Sequence, residues 1–328
     1  MTGTNQITPG DKRPSRLFIA GGLGIIYVVW GSTYLAIKVA VETLPPFLMA
    51  GARFLVAGAV MAMILLALGR LRATGRQWLW NALVGLFMMV GGNGLVSWAE
   101  QTIPSGIATL IVAFNPLMMV TAEWVIWGRT KGRMGARPNR TVFAGLAMGC
   151  VGLAMLVAPS LQGTGPASYD LFRVGAIVLA CLTWTIGSMM TRYGGNPADP
   201  FTGATIQMLC GGLWLIAFGT LLGEMQDVQW NQFSRESILA WWYLVIAGSL
   251  VAFTTFVWLM KHASPTLIST YAYVNPVVAV FLGWLVLNER IDDWTVVSAA
   301  VIVLGVATIT WGKKKREARS EGRVASSE

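Results

Sequence analysis

In a chain of 328 residues, 55% are hydrophobic and only 12% charged, with 37 Gly and 15 Trp. That leaves too little polar surface to cover a soluble core, so lipid is the solvent for most of the chain. The net charge of +9 does not point to nucleic acid, because the basic residues fall in short gaps between apolar runs instead of sharing one exposed face.

A hydrocarbon core of about 30 Å needs roughly 20 apolar residues per helix. Ten such runs follow one another: Leu17 to Ile37, Phe47 to Leu68, Trp78 to Trp98, Ile103 to Trp127, Val142 to Ala158, Val174 to Thr191, Phe201 to Leu222, Ile238 to Met260, Thr266 to Leu287 and Trp294 to Trp311. Their length without alternation predicts helices, since every backbone polar group in lipid must be satisfied within its own segment. The first run is too long for a cleavable signal core and lacks a small-residue cleavage site, so it is expected to be retained. Cys150, Cys181 and Cys210 lie inside apolar runs, with no spacing suited to a disulfide framework or a metal knuckle.

Lys and Arg set the orientation. With the N-terminus in the cytoplasm, nineteen fall on the cytoplasmic side and four (Lys38, Arg173, Arg235 and Arg290) on the other, with Arg53 inside the second run. Short-loop cations stay cytoplasmic, so both termini are expected inside.

The chain also resembles itself. A shift of 154 residues places Trp30 on Trp184, Lys38 on Arg192, Pro46 on Pro200, Gly58 on Gly212 and Gly69 on Gly223; a shift of 160 places Asn115-Pro116 on Asn275-Pro276 and Trp98 on Trp258. A repeat containing an odd number of spans must enter the membrane from the opposite side the second time, which is the architecture of many secondary transporters. The expected fold is therefore an all-α integral membrane protein of ten transmembrane helices, arranged as two inverted five-helix repeats over 17–158 and 171–311. Cytoplasmic tails occupy 1–16 and 312–328.

Trp30-Gly31-Ser32-Thr33-Tyr34, Pro45-Pro46-Phe47 before Arg53-Phe54, and Tyr271-Ala272-Tyr273-Val274-Asn275-Pro276 followed by Asn288-Glu289-Arg290 occur in order within these repeats. The pattern resembles the EamA-type permeases of the drug/metabolite transporter superfamily from about Leu17 to Trp311. The resemblance implies an inner-membrane permease, often an exporter of amino acids or other metabolites, with its cavity between the halves. One departure is Gly128-Arg129, where such repeats usually end in Gly-Glu.

No enzyme, metal site or cofactor is expected. His262 is the lone histidine, and no phosphate loop of the Gly-x-x-x-x-Gly-Lys-Ser/Thr type occurs. The expected partners are a small solute, with amino acids as the candidate class, and the bilayer; a receptor, a scaffold, or a drug, purine or sugar permease are the alternatives.

Solute contacts are expected on helical stripes. Trp30, Tyr34 and Lys38 share one face of the first span, and Trp184, Ser188 and Arg192 share one face of the sixth. Lys38 and Arg192 read better as snorkelling cations. Asn93 lies on a polar stripe of the third span and Trp258 on one of the eighth, while Tyr271 and Tyr273 add aromatic groups in the ninth. Asn115 and Asn275 offer amides beside Pro116 and Pro276, which free carbonyls and act as hinge candidates. Arg53 and Glu123 are buried charges with structural or coupling roles; for Arg53 the expectation is mainly a structural ion-pair or helix-terminus partner. Gly145-x-x-x-Gly149 marks close helix packing.

Overall fold

A computed structural model describes residues 15–135, 137–162, 170–194, 199–263, 265–268, 271–288, 292–305 and 307–308. Among these residues the secondary structure is helical throughout. Seven helices are long and apolar enough to cross a membrane: α1 (Arg16–Ala40), α2 (Pro46–Ala67), α3 (Gly75–Ala99), α4 (Ser105–Arg129), α6 (Leu171–Tyr193), α7 (Pro200–Leu221) and α8 (Arg235–His262). Three others contain shorter apolar stretches: α5 (Arg140–Gln162), α9 (Tyr271–Leu287) and α10 (Asp293–Gly305). Large apolar side chains such as Leu17, Phe172 and Leu221 lie outward on the bundle, as a surface facing lipid requires.

Two of these helices carry widened turns that the apolar pattern does not announce. The stretches Leu86–Gly94 in α3 and Leu244–Phe253 in α8 are π-helical, and the shift of 160 residues brings most of one onto the other. Such insertions re-aim side chains locally, and both reach the central cavity described below.

The helices meet through glycine. Gly51 of α2 and Gly212 of α7 face each other so closely that a Cβ on either would lie 3.0 or 2.9 Å from the other's carbonyl oxygen. A Cβ on Gly58, which the 154-residue shift places on Gly212, would meet the Leu209 amide nitrogen at 3.0 Å. At Gly305 of α10 a Cβ would lie 2.9 Å from the Gly145 carbonyl oxygen and 2.7 Å from the Gly149 nitrogen. The Gly145/Gly149 stripe is thus a packing surface for α10, the usual use of small residues between helices in lipid.

Helix ends are tied in matched ways. α2 and α7 each finish at a left-handed glycine, Gly69 (φ 65°) and Gly223 (φ 88°), which closes the terminal turn without a Cβ clash. The residue after each glycine then reaches the start of the other helix. Arg70 pairs with Asp199, the N-cap of α7, at 3.4 Å. Glu224 accepts hydrogen bonds from the Phe47 (3.1 Å) and Leu48 (2.9 Å) amides at the start of α2. There the N-cap position is Pro45, whose side chain cannot cap. Burial pushes the Glu224 carboxyl above its ordinary value, against the smaller opposing effect of the two amides.

Candidate functional site

A half-enclosed cavity of about 80 Å³ lies where α1, α2, α3, α4, α6, α8 and α9 converge. Its aromatic wall includes Trp30, Tyr34, Phe54, Trp184, Phe253 and Tyr271, and its polar groups include Thr33, Arg53, Asn93 and Asn115. Both parts of the chain contribute, so neither half forms the site alone.

The aromatic residues pack mainly edge to face. Trp30 lies 5.7 Å from Trp184 and 5.4 Å from Tyr271, nearly perpendicular to both rings. Phe256, one turn beyond Phe253 along α8, packs behind Trp30 at 5.0 Å and Trp184 at 5.6 Å. Each such pair adds about 0.5–1.5 kcal/mol beyond simple burial. The cluster therefore packs α1, α6 and α8 tightly against one another along this wall.

Glycine brings the helices close enough to build this wall. A Cβ on Gly92 would stand 2.8 Å from the Trp184 ring, and one on Gly248 would stand 2.8 Å from Arg53 Nη2. Both glycines belong to the π-helical stretches. In the first stretch the Asn93 amide donates to the Met88 carbonyl five residues back, at 3.4 Å.

Asn115, from the first half, is held by two partners from the second: its Oδ1 accepts from Thr185 Oγ1 at 2.8 Å and its Nδ2 donates to the Tyr271 hydroxyl at 3.3 Å. The fourth span is interrupted beside it. One helical segment ends at Val112 and the next starts at Asn115. Pro116 therefore sits in a first turn, where its missing N–H does least harm. The Val112 carbonyl four residues earlier is left to the Cys181 thiol at 4.0 Å. Pro276, in contrast, lies inside the continuous helix α9. The two matched prolines thus occupy different local structures.

The sequence candidates divide accordingly. Trp30, Tyr34, Asn93, Asn115, Trp184 and Tyr271 line the cavity. Asn275 is buried but outside its wall; with its amide turned so that the nitrogen donates, it reaches the Tyr271 and Tyr27 carbonyl oxygens at 3.1 Å each. Ser188 is fully buried and also outside the wall. Trp258 stacks on His262 at 4.6 Å, and a His262 ring nitrogen lies 2.8 Å from the Trp258 carbonyl oxygen, away from the cavity. Tyr273 belongs to α9, but its side chain lies outside the described residues. Glu123 is buried in α4 away from the cavity, its carbonyl packed against Gly135.

Arg53 is placed differently from the ion-pair reading. It is 3% exposed and lines the cavity. Its Nε donates to Ser249 Oγ at 2.7 Å, its guanidinium lies 4.7 Å from the Phe54 ring centre, and its buried Nη1 has no acceptor among the described residues. No carboxylate among the described residues pairs with it. Thr33, Phe54, Cys181 and Phe253 are not among the solute contacts expected from the sequence yet also line the cavity; Thr33 adjoins Tyr34, which is, and Phe54 adjoins the buried charge Arg53.

Lys38 and Arg192 stay off the cavity. Lys38 donates to the Glu100 (2.8 Å) and Gln101 (3.2 Å) carbonyls at the end of α3. Arg192 approaches the Met260 carbonyl at 3.5 Å near the end of α8. The shifts of 154 and 160 map Lys38 onto Arg192 and Glu100 onto Met260, so the two contacts correspond, the first being shorter. Each cation sits where the helix macrodipole favours positive charge.

Comparison with known proteins places this architecture. The EamA-like transporter family matches residues 19–158 and again 171–311. The inner membrane transporter YedA of Escherichia coli is 35% identical over 294 residues, spanning 89% of this chain and 90% of YedA. Protein PecM of Dickeya dadantii is 27% identical over 87% of this chain and 92% of its own. A chloroplastic WAT1-related protein of Arabidopsis thaliana is 26% identical over 87% of this chain and 67% of its own. A protein of known crystal structure shares the fold at a TM-score of 0.64 and 22% identity, over 92% of this chain and all of its own. With the family matched twice along one helical chain, this multi-pass membrane protein belongs to the EamA-like transporter family, within the drug/metabolite transporter superfamily.

Proposed function

We propose that the protein is a secondary transporter of the inner membrane that exports amino acids or closely related metabolites. Its ten spans form two inverted halves, 17–158 and 171–311, and both termini are cytoplasmic. The observation that carries this reading is the central cavity built by both halves, with an aromatic wall and a few fixed polar groups, the composition of a small-molecule site. An inverted repeat supplies the mechanism, because exchanging the shapes of the two halves exchanges the side to which a shared cavity opens.

The matched but unequal features support that mechanism. The helix is interrupted before Pro116 and continuous through Pro276. The Lys38 contact is short and the Arg192 contact long. With cytoplasmic termini, Phe256 packs behind Trp30 and Trp184 on the inner side of the cavity. The aromatic wall suits the apolar body of a solute, and the Asn93 and Asn115 amides suit its polar end.

The test is counterflow of labelled solutes into liposomes containing only the purified protein, scored over amino acids, drugs, purines and sugars. Accumulation of one or more amino acids is the expected result. Movement confined to another class would overturn the substrate assignment, and binding without counterflow of any solute would identify a receptor or scaffold instead.

A further inference from the structure

A guanidinium in the low dielectric of a membrane interior is retained only where other groups offset its desolvation. Arg53 is 3% exposed, yet the described residues answer only one of its donors fully: Nε meets Ser249 Oγ at 2.7 Å, while Nη1 is buried with no acceptor among them. The side chain lines the cavity beside Phe54, Asn93 and Gly248. Gly248 keeps space open there, since a Cβ would stand 2.8 Å from Arg53 Nη2.

The second half treats the matching position differently. Gln207, reached from Arg53 by the 154-residue shift, is neutral, and its Nε2 donates to Asn81 Oδ1 at 2.8 Å. The first half thus places a charge on the cavity wall where the second buries an internally paired amide. The neighbouring cation Lys38 is spent on the carbonyls of Glu100 and Gln101. Among the described residues, one positive charge therefore addresses the cavity.

We propose that Arg53 is the anchor for a carboxylate on the transported solute, which makes the substrate class a monocarboxylate with an apolar or aromatic body. The proposal rests on the transport reading of the cavity. Ser249 fixes one edge of the guanidinium, and a carboxylate oxygen completes the donors left over, the pairing that the planar fork of arginine forms best. Trp30, Trp184 and Phe253 then receive the body of the solute. A single cation matches a single negative charge, which disfavours phosphate esters and dicarboxylates. An α-amino acid satisfies the same site by placing its ammonium against an aromatic face.

The experiment measures binding to the full chain in phosphatidylcholine nanodiscs by calorimetry, with phenylacetate and L-phenylalanine against phenylacetamide and L-phenylalaninamide. Each carboxylate should bind at least about tenfold more tightly than its amide. Arg53→Gln should abolish that difference, with Arg53→Lys retaining part of it. The carboxylate-to-amide ratio in the unsubstituted protein needs no variant, so failure of Arg53→Gln to fold does not protect the proposal. Amides binding as tightly as acids, no binding by either acid, or a folded Arg53→Gln with an unchanged ratio would each overturn it. Failure of the transport reading has a different signature, in which the acids bind with the expected ratio but never accumulate in liposomes.

Discussion

The α2–α7 crossing offers the sharpest structural test. A Cβ at Gly212 would stand 2.9 Å from the Gly51 carbonyl oxygen, 2.9 Å from the Leu55 amide nitrogen and 2.8 Å from Leu55 Cγ. Two of these three neighbours are backbone atoms of the facing helix, so no rotamer change relieves them. Gly212→Ala must separate the helices by several tenths of an ångström along a line where Gly51 and Gly58 are also in contact. Overpacking of this kind costs about 1–3 kcal/mol, and Gly212→Val should cost more. Gly24→Ala and Gly175→Ala are the controls: nothing lies within 4 Å of a Cβ at either position, and alanine is the better helix former by about 1 kcal/mol. Thermal unfolding of the four purified variants in one detergent should give a graded fall for Gly212→Ala and Gly212→Val and no loss for the controls. A Gly212→Val protein that unfolds at the temperature of the unsubstituted protein would show that this contact does not hold the halves together.

The pH dependence of stability should carry a mark of Glu224. Its folded-state pKa is raised, chiefly by burial, so the folded protein takes up this proton more readily than the unfolded chain. The resulting stabilisation is complete below the ordinary carboxylate range of about 4–4.5 and is lost as pH rises through the folded-state value. Unfolding temperature measured upward from about pH 4 should therefore fall more in the unsubstituted protein than in Glu224→Gln; equal slopes, or a rise in the former alone, would refute the assignment. The matched asparagines and prolines should also separate by role. Asn115→Ala removes a cavity amide and should weaken solute binding, whereas Asn275→Ala removes an amide set against two carbonyls and should lower stability with little change in affinity. Pro116→Ala restores an N–H toward the Val112 carbonyl and should slow exchange in liposomes more than it weakens binding; full exchange rates in both Pro116→Ala and Pro276→Ala would remove the hinge.

Much of this protein is legible in its residues alone. Apolar run length locates the helices, and the two shifts identify positions that the structure treats as counterparts: Gly69 with Gly223, Lys38 with Arg192, and the start of α2 with the start of α7. Trp30 and Trp184 could be placed at a shared site because they match across the repeat, and they meet there at 5.7 Å. Helical periodicity establishes which side chains share a face, but not the neighbour against which that face turns. Ser188 lies one turn beyond Trp184, yet neither it nor Trp258 reaches the cavity wall. The π-helical stretches of α3 and α8 alter the register of every residue after them, and the glycines within them leave no mark in hydropathy. Arg53 shows the division most clearly: its sequence shows a charge in an apolar helix, a costly feature that demands a partner. Only the packing of α2 against α8 decides that the partner is Ser249 on one edge and open cavity on the other, because the groups that can answer a buried charge come from chain almost 200 residues away.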